Sequence, residues 1–551
     1  MQEKIKALLE QARAEVAKTE GVEATFPPVV ITVPKDKTHG NFATNAAIIS
    51  SKAFGQAPAV LAGKMVGYCN ANCGSDLSFE VAGPGFINVR LSSDAKSSAF
   101  MALFNSGENI GLSDIGKGRT VNVEYVSANP TGPLTVGHGR NAAVGDVISR
   151  LFQAVGYKVT KEYYFNDAGN QMNVLARSVR CRYRQLLGMD EQLEENGYQG
   201  EYIIDIAKEV LKDHGDSLKD TDELKTFKEY AVRTTFAMIK DSLQKMRVNH
   251  DVYFNEHSLY DSGKIKETLD LIAAKGLSYE ADGAVWYKAS QFGAEKDRAL
   301  VKSSGEPTYR LPDIAYHRDK FERGFDRIVD IFGADHIAQY PDVLSCLKAL
   351  GYDTDKVTVA IYQFVTLLGN GEAVKMSTRK ANYVTLDELM DKVGVDVVRY
   401  FFVMRRLGSH LEFDLALAKN QSRDNPVYYL QYVYTRIGSL FRKAEVTAES
   451  FAQKEIKAEL LTDPSEQELI KLLGTMKDTV EKAAENCEPN RLTDYLEKLA
   501  KAFHHYYSTK KHILLTKDEE LRTARLALLF IVRNAIKCGL GILGVSAPEE
   551  M

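Results

Sequence analysis

The sequence predicts an α/β protein whose parallel sheet is split by a helical insertion, with an α+β domain before it and an all-α bundle after it. Three observations carry this prediction. A strand, loop, helix, strand pattern begins near Val121, and the segment 170–257 is charged and helical in spacing. Strand patterns return near Gly283 and cease after Asn425. With 551 residues, the chain is too long for one hydrophobic core, so several folding units are expected.

The composition is that of an ordinary soluble globular protein, with 44% hydrophobic and 26% charged residues. The six cysteines are scattered, and only Cys69 and Cys73 lie close together. We therefore expect reduced thiols in a cytoplasmic protein, with no zinc and no organic cofactor. The best apolar run, Leu526–Val532, is too short to span a membrane. A net charge of −4 argues against indiscriminate nucleic-acid binding but allows local basic surfaces.

Residues 1–116 are predicted to form the α+β domain. Apolar residues at helical spacing from Ile5 mark one face of an opening helix. The segments 79–82 and 86–91 flank a Gly-Pro-Gly turn at 83–85, which predicts two paired strands.

Residues 117–365 are predicted to form a nucleotide-binding sheet. Alternating apolar residues from Val121 indicate a strand, helical spacing runs to Gly156, and 158–165 is the next predicted strand. The loop 133–140 (PLTVGHGR) therefore lies between the carboxyl end of a strand and the start of a helix. Open α/β sheets bind ligands at that position, and a glycine-rich loop at a helix N-terminus suits a phosphate.

The second half of the sheet follows the predicted insertion at about 170–257. Strands are predicted at 327–332 and 357–361, separated by a helix. Residues 366–424 are predicted to form a loop and junction region, and 425–551 an all-α bundle.

A second motif, 374–380 (VKMSTRK), is a basic loop that can hold the other side of a triphosphate. Each motif alone is weak, because a histidine beside glycines is more often a turn residue and a charged loop is usually solvated. Both motifs, in order beside strands of one divided sheet, predict an ATP site. There His138, Lys375 and Ser377 would stabilise the negative charge that develops on the phosphoryl oxygens and on pyrophosphate.

The two motifs together resemble the paired nucleotide signatures of class I aminoacyl-tRNA synthetases. The runs 123–133 (VEYVSANPTGP), 163–171 (YYFNDAGNQ), 297–317 and 425–436 (NPVYYLQYVYTR) resemble the arginyl-tRNA synthetases in particular. The resemblance covers essentially the whole chain.

This resemblance implies an arginine–tRNA ligase with a class I Rossmann-type catalytic domain. Such an enzyme converts arginine and ATP to arginyl-adenylate and pyrophosphate, and then transfers arginine to the 3′-terminal adenosine of tRNA(Arg). ATP would carry Mg²⁺, and bound tRNA would be needed for efficient activation. The amino-terminal domain would touch the tRNA elbow, and the carboxyl-terminal bundle would recognise the anticodon. We expect a cytoplasmic monomer with no membrane partner.

The same resemblance assigns the site residues. Asp313 would pair with the planar guanidinium of arginine; taken alone, an aspartate after Pro312 is more often a helix cap. The other residues assigned to arginine are Glu124, Ser127, Asn129, Tyr309 and Gln339. Those assigned to ATP are Gly137, His138, Gly333, Asp335, His336, Lys375, Met376 and Ser377. Weaker candidates for tRNA contact are Phe86, Asn88, Tyr432 and Arg436, and no residue is assigned to a metal.

The chain departs from the family pattern at Thr135, where the signature loop normally carries its first histidine. Threonine can donate one hydrogen bond but carries no charge. In the second loop, Arg379 could replace the charge of a missing lysine. Two alternatives remain: a non-catalytic RNA-binding paralogue, and a class I ligase for another amino acid, whose pocket would be apolar or metal-bearing.

Overall fold

The structure is a computed structural model that describes most of the chain, in two compact units. The residues it describes are 2–34, 36, 39–334, 337, 340–369, 372–373, 384–447, 449–451, 454–509 and 516–551. Unit 1 comprises Met1–Gly107, Ser439–Gly474 and His505–Val532. Unit 2 comprises Glu108–Gly438, Thr475–His504 and Arg533–Met551.

Helices and strands are numbered here in chain order. The helices are α1 (Gln2–Glu20), α2 (Ala46–Phe54), α3 (Pro58–Asn72), α4 (Ser93–Ser106), α5 (Val136–Ala154), α6 (Gly169–Leu186), α7 (Glu201–His214), α8 (Lys225–Lys245), α9 (His257–Asp261), α10 (Lys264–Ala274), α11 (Arg310–Glu322), α12 (Tyr340–Leu350), α13 (Leu386–Val393), α14 (Val395–Val403), α15 (Leu415–Lys419), α16 (Pro426–Ala444), α17 (Pro464–Leu473), α18 (Met476–Glu485), α19 (Asn490–Thr509) and α20 (Glu519–Leu543). The strands are β1 (Phe42–Thr44), β2 (Leu77–Ala82), β3 (Phe86–Leu91), β4 (Thr120–Glu124), β5 (Lys158–Phe165), β6 (Val252–Asn255), β7 (Ser278–Ala281), β8 (Ala284–Tyr287), β9 (Arg298–Val301), β10 (Arg327–Gly333), β11 (Val357–Tyr362), β12 (Val365–Gly369), β13 (Glu372–Ala373) and β14 (Leu411–Asp414).

Unit 1 is built around a small antiparallel sheet of order β1-β3-β2. β2 and β3 pair from Leu77 with Leu91 to Ala82 with Phe86, which confirms the two strands predicted around the Gly-Pro-Gly turn. The predicted apolar face of α1 is buried in the same core as the inner residues of α3 and the sheet. The apolar residues that alternate along the strands and those at helical spacing in α1 therefore pack in one hydrophobic cluster.

Unit 2 contains a five-stranded sheet of order β11-β10-β4-β5-β6, and all of its strand pairs are parallel. The chain first builds outward from β4 through β5 to β6, and then returns to the other side of β4 with β10 and β11. This is the order of a doubly wound sheet, and its direction reverses between β4 and β10. The predicted strands that correspond to β4, β5, β10 and β11 are confirmed.

Two parts of unit 2 differ from the sequence prediction. The insertion is helical only through α6, α7 and α8, because Val252–Asn255 forms β6, the edge strand of the parallel sheet. A separate antiparallel sheet of order β7-β8-β9 then precedes α11. Each of these strands is four residues long, too short to show a reliable alternation of polar and apolar residues.

The carboxyl-terminal part is helical as predicted: from Leu415 onward the described residues contain no strand. The apolar spacing from Leu469 to Val480 suits one continuous helix, but the chain forms two there, because α17 ends at Leu473 and α18 begins at Met476. Among the described residues, α20 alone is long and apolar enough to cross a membrane, and 72% of its most apolar window is buried within the protein. Such burial is typical of a core helix.

Candidate active site

The candidate site lies where β4 and β10 end side by side. Glu124 is the last residue of β4, and it pairs in register with Asp330 of β10. The loop after β4 leads to α5, which passes so close to β4 that a Cβ on Gly145 would overlap the ring of Tyr125. The N-terminus of α5 is thereby held at the point where the sheet reverses, the usual ligand position in open α/β sheets.

A buried lysine neutralises the two carboxylates at this point. The Lys320 Nζ lies 2.5 Å from Glu124 Oε2 and 2.6 Å from Asp330 Oδ1, and the Lys320 side chain is fully buried. Burial alone would lower the pKa of Lys320, but the charges of Asp330 and Glu124 outweigh it and raise the pKa. Burial would raise the pKa of Asp330, but Lys320 and His317 hold it far below its ordinary value.

Asp313 lies two helical turns before this lysine on α11, and its carboxylate forms no ion pair within the part of the chain that the structure describes. In the described ranges, no side chain donates a hydrogen bond to its carboxylate. His317, one turn further along, directs its Nδ1 to the Asp313 carbonyl (2.8 Å) and its Nε2 to Asp330 Oδ2 (3.0 Å). Burial, together with the nearby charges of Glu124 and Glu256, raises the pKa of Asp313 to about 7.

Two further carboxylates belong to the same cluster, and sequence reasoning missed both. Glu256, just after β6, accepts a 2.7 Å hydrogen bond from the Tyr164 hydroxyl, and burial raises its pKa. Glu162 on β5 is fully buried and accepts from Arg323 (2.6 and 2.8 Å) and from the Tyr316 hydroxyl (2.6 Å). Lys320 was missed as well, although Asp313, His317 and Lys320 follow the i, i+4, i+7 spacing of one helix face.

The loop after β4 carries Ser127 and Asn129 into the same region. The Ser127 hydroxyl donates to Glu124 Oε1 at 2.9 Å. The Asn129 side-chain Nδ2 donates to Gln171 Oε1 at 3.1 Å, and the Asn129 side-chain Oδ1 accepts from the Asn166 backbone N–H at 3.1 Å. The structure therefore brings together Glu124, Ser127 and Asp313, and fixes Asn129 to the start of α6.

At the other end of the candidate site, Thr135 and His138 form the N-terminal cap of α5. The Thr135 Oγ1 accepts from the His138 backbone at 3.5 Å, and the Thr135 backbone N–H donates to His138 Nδ1 at 3.3 Å. Since that N–H can only donate, Nδ1 is an acceptor, and the neutral imidazole carries its hydrogen on Nε2. The threonine at the family's histidine position thus caps the helix and orients the remaining histidine.

Arg140, two residues beyond His138, is completely buried without a carboxylate partner in the described part of unit 2. Its guanidinium donates to three backbone carbonyls, those of Gln363 (2.5 Å), Arg406 (3.4 Å) and Ser409 (3.3 Å). Burial lowers its pKa to about 10, so it stays protonated at neutral pH. A permanent positive charge beside the glycine loop favours an anionic ligand.

Several predicted residues are not assembled here. Tyr309 is 85% exposed at the start of α11, so its side chain does not pack beside Asp313. Gly137 is partly buried at the start of α5, and Gly333 ends β10. Six predicted residues lie outside the described ranges: Asp335, His336, Gln339, Lys375, Met376 and Ser377.

The tRNA candidates differ in exposure. Tyr432 on α16 stacks with His504 on α19 at 5.7 Å between ring centroids, and Arg436 is half-buried one turn later. In unit 1, Phe86 is 43% exposed at the start of β3. Asn88 is only 5% exposed, and its amide lies 3.5 Å from Glu80 Oε1. All four assignments stay predictions.

No group of three or more His, Cys, Asp or Glu side chains in the described ranges is arranged to hold a metal ion. The site instead offers clustered, largely hydrogen-bonded carboxylates on one side and a capped helix N-terminus on the other. This arrangement can bind a cation beside an anion.

Comparison with known proteins accounts for nearly the whole chain. Residues 2–91 match the family model "Arginyl tRNA synthetase N terminal domain", 102–399 match "tRNA synthetases class I (R), catalytic domain", and 430–551 match "DALR anticodon binding domain". The chain is 46% identical to the arginine–tRNA ligase of Desulfotalea psychrophila over 95% of this chain and 94% of that protein. It is 47% identical to that of Chlorobaculum tepidum over 96% and 97%. The solved arginyl-tRNA synthetase of Thermus thermophilus has the same fold, with a TM-score of 0.76 at 20% identity over 99% of this chain and 100% of that one.

Replacing Lys320 with methionine should destabilise unit 2 by about 3–5 kcal/mol, because Glu124 and Asp330 would face each other without a cation. The free energy of unfolding in urea measures this loss. The loss should shrink as the pH falls below about 4, where carboxylates become protonated. Lys264→Met is the matched control, since Lys264 pairs with Asp319 and Glu322 near the surface and should cost no more than about 1 kcal/mol. Equal losses in the two variants would contradict a central role for Lys320.

Proposed function

The chain belongs to the arginyl-tRNA synthetase family, the ATP-dependent ligases of arginine and tRNA, and we propose that the carboxylates around Asp313 hold its arginine. In the reaction, an arginine carboxylate oxygen attacks the α-phosphorus of ATP, and the bond to pyrophosphate breaks. A hydroxyl of the tRNA 3′-terminal adenosine then attacks the arginyl carbonyl, loses its proton and releases AMP.

The observation that carries this proposal is the charge balance of the pocket. Five carboxylates lie in one cluster: Glu124, Glu162, Glu256, Asp313 and Asp330. The cations bonded to them in the described ranges are Lys320, Arg323 and His317; both ring nitrogens of His317 face acceptor oxygens, and Asp330 raises its pKa against the effect of burial. The cluster therefore carries surplus negative charge, which a cationic amino acid would neutralise.

Asp313 is the carboxylate best placed for the guanidinium. Glu124, Glu162 and Asp330 already accept hydrogen bonds from Lys320 or Arg323, and Glu256 accepts one from Tyr164. A planar guanidinium presents donors in a fork that matches both oxygens of one carboxylate. Leaving Asp313 unpaired is costly in the free enzyme, and the arrival of arginine relieves that cost.

We propose that Glu124, Ser127 and Asn129 hold the amino-acid end of arginine, with Tyr309 and Gln339 closing the site. Their support is position: Glu124 ends β4 close enough to Asp313 to raise its pKa, and Ser127 and Asn129 lie in the loop that leads to α5. Arginine bound in this direction would present its carboxylate toward the phosphate loop.

For ATP, we propose that Gly137, His138 and Gly333 line the phosphate and nucleoside positions. With its Nδ1 engaged by Thr135, His138 has its Nε2–H as the donor for a phosphate oxygen. The amide dipoles of α5 and the charge of Arg140 add positive potential where the α-phosphate gains charge. Asp335, His336, Lys375, Met376 and Ser377 complete this set by family resemblance, and ATP would carry its own Mg²⁺.

We further propose that tRNA(Arg) contacts Tyr432 and Arg436 on α16, and Phe86 and Asn88 in unit 1. The stacked pair Tyr432–His504 supports an anticodon contact, since unpaired bases stack on aromatic rings. The enzyme is proposed to act as a cytoplasmic monomer.

Arginine affinity should fall as the pH drops through 7, because only ionised Asp313 pairs with the guanidinium. Because the pKa of Asp313 is raised to about 7, its carboxyl group is partly protonated at pH 7 in the free enzyme. Between pH 8 and pH 6 the dissociation constant for arginine, measured by titration calorimetry, should rise about tenfold. Asp313→Asn should weaken binding by at least about 30-fold and flatten this pH profile.

The matched control is Glu322→Gln, which removes an exposed carboxylate from the same helix. It should leave arginine affinity and its pH dependence unchanged. An Asp313→Asn enzyme that binds arginine with the normal affinity and pH profile would contradict the proposed site.

Replacing Thr135 with valine, which keeps the side-chain shape but removes the hydroxyl, should lower the rate of arginine-dependent pyrophosphate exchange about tenfold by loosening His138. It should also cost about 1 kcal/mol of helix-cap stability. Thr135→Ser keeps the hydroxyl and should retain most of the rate. Equal rates in the valine and serine enzymes would show that the cap does not orient His138.

A further inference from the structure

The chain turns sharply through two left-handed residues directly after β4. Val126 has φ 68° and Ser127 has φ 45°. The Ser127 N–H donates to the Tyr125 carbonyl at 3.0 Å, which closes a γ-turn around Val126. Such a turn is strained, and a β-branched residue at positive φ is rare. Backbone conformations of this kind are strained and persist only where the surroundings impose them.

Asn141 on α5 makes the contacts that impose this turn. Its side chain is 4% exposed. The Asn141 Oδ1 accepts from the Val126 backbone at 2.8 Å, and Nδ2 donates to the Ile331 carbonyl at 3.1 Å. The pairing of β4 with β10 ends at Glu124 and Asp330, so Asn141 bridges the two strands immediately beyond their last paired residues.

The turn determines where Ser127 points. An extended chain would send successive side chains to opposite faces, whereas the turn brings the Ser127 hydroxyl back to Glu124 Oε1 at 2.9 Å. The same hydroxyl accepts from the Tyr164 backbone at 3.2 Å, and the Tyr163 hydroxyl donates to the Ala128 carbonyl at 2.7 Å. The loop is thus fixed against β5 with Ser127 facing the carboxylate cluster.

We propose that Asn141 is a positioning residue for arginine, which holds the turn at Val126 and so places Ser127 and Asn129 in the binding site. The proposal rests on the proposed arginine site. Asn141 lies three residues after His138, on the same face of α5, so one helix orients both the phosphate donor and the amino-acid loop.

Asparagine suits this position because it donates and accepts with one short side chain. Aspartate would lose the donor to the Ile331 carbonyl and bury a charge. Serine is too short to make both bonds, and glutamine would push the amide one methylene further.

The test compares Asn141→Ala with Asn425→Ala. Asn425 is also buried in unit 2 and makes the same two kinds of bond. Its Nδ2 donates to the Ala418 carbonyl (3.1 Å), and its Oδ1 accepts from the Val427 backbone N–H (3.0 Å). The two variants therefore lose matched interactions, at different distances from the site. Binding of arginine and of ATP is measured separately by titration calorimetry, and stability by urea unfolding.

Asn141→Ala should weaken arginine binding about tenfold or more and change ATP binding much less, whereas Asn425→Ala should leave both affinities unchanged. Adding Val126→Gly to Asn141→Ala should restore part of the arginine affinity, because glycine adopts positive φ without strain. Loss of general stability alone would not be rescued in this way. If Asn141→Ala does not fold, Asn141→Ser replaces it and should show an intermediate loss.

Normal arginine affinity in Asn141→Ala or Asn141→Ser, or equal losses in the Asn425 control, would overturn the positioning role. Failure of the arginine site itself gives a different result, since Asp313→Asn would then bind arginine normally. The proposal would also be overturned if Asn141→Ala lost arginine affinity and ATP affinity by the same factor and Val126→Gly restored neither.

Discussion

The structure around the site depends on the ion pairs of Lys320. Glu124 and Asp330 stand opposite each other at the ends of two adjacent parallel strands, where like charges repel. A fully buried ammonium between them removes that repulsion and satisfies one oxygen of each carboxylate. Because these strands flank the point where the sheet reverses, this cation allows the proposed site for charged substrates to be built in a buried part of the sheet.

The remaining charges follow from that constraint. Lys320, Arg323 and His317 offset the charge of the three deepest carboxylates, so the unbalanced charge falls on Asp313 and Glu256, which are less buried. A few residues away, the capped N-terminus of α5 and the buried guanidinium of Arg140 supply positive charge. An amino acid with a cationic side chain and an anionic carboxylate would lie between these two regions with its ends matched to them. Selectivity for arginine would then come from the cost of leaving Asp313 unpaired when the ligand is neutral.

Much of this could be predicted from the sequence, because it depends on local patterns. Alternation and helical spacing located β4, α5, β5, β10 and β11, and the glycine loop lies between β4 and α5 as the sequence predicts. The four-residue strands β6, β7 and β9 were not predicted because they are too short for a period to appear, and the strand pattern near Gly283 belongs to a separate antiparallel sheet. The role of Asn141 could not be predicted, since its partners Val126 and Ile331 are brought to it only by the folded sheet. Tyr309 shows another limit of the sequence: family resemblance assigns it to arginine, but only the structure shows that its side chain is exposed.

The central claim, that charge complementarity at Asp313 selects arginine, is tested most directly with citrulline, which has nearly the shape of arginine but a neutral urea group. We would measure amino-acid-dependent exchange of labelled pyrophosphate into ATP, with tRNA(Arg) present, for arginine and citrulline. The account predicts efficient exchange with arginine and a preference over citrulline of about 10⁴ or more, which Asp313→Asn should largely abolish. Comparable exchange with both amino acids in the unaltered enzyme would contradict it.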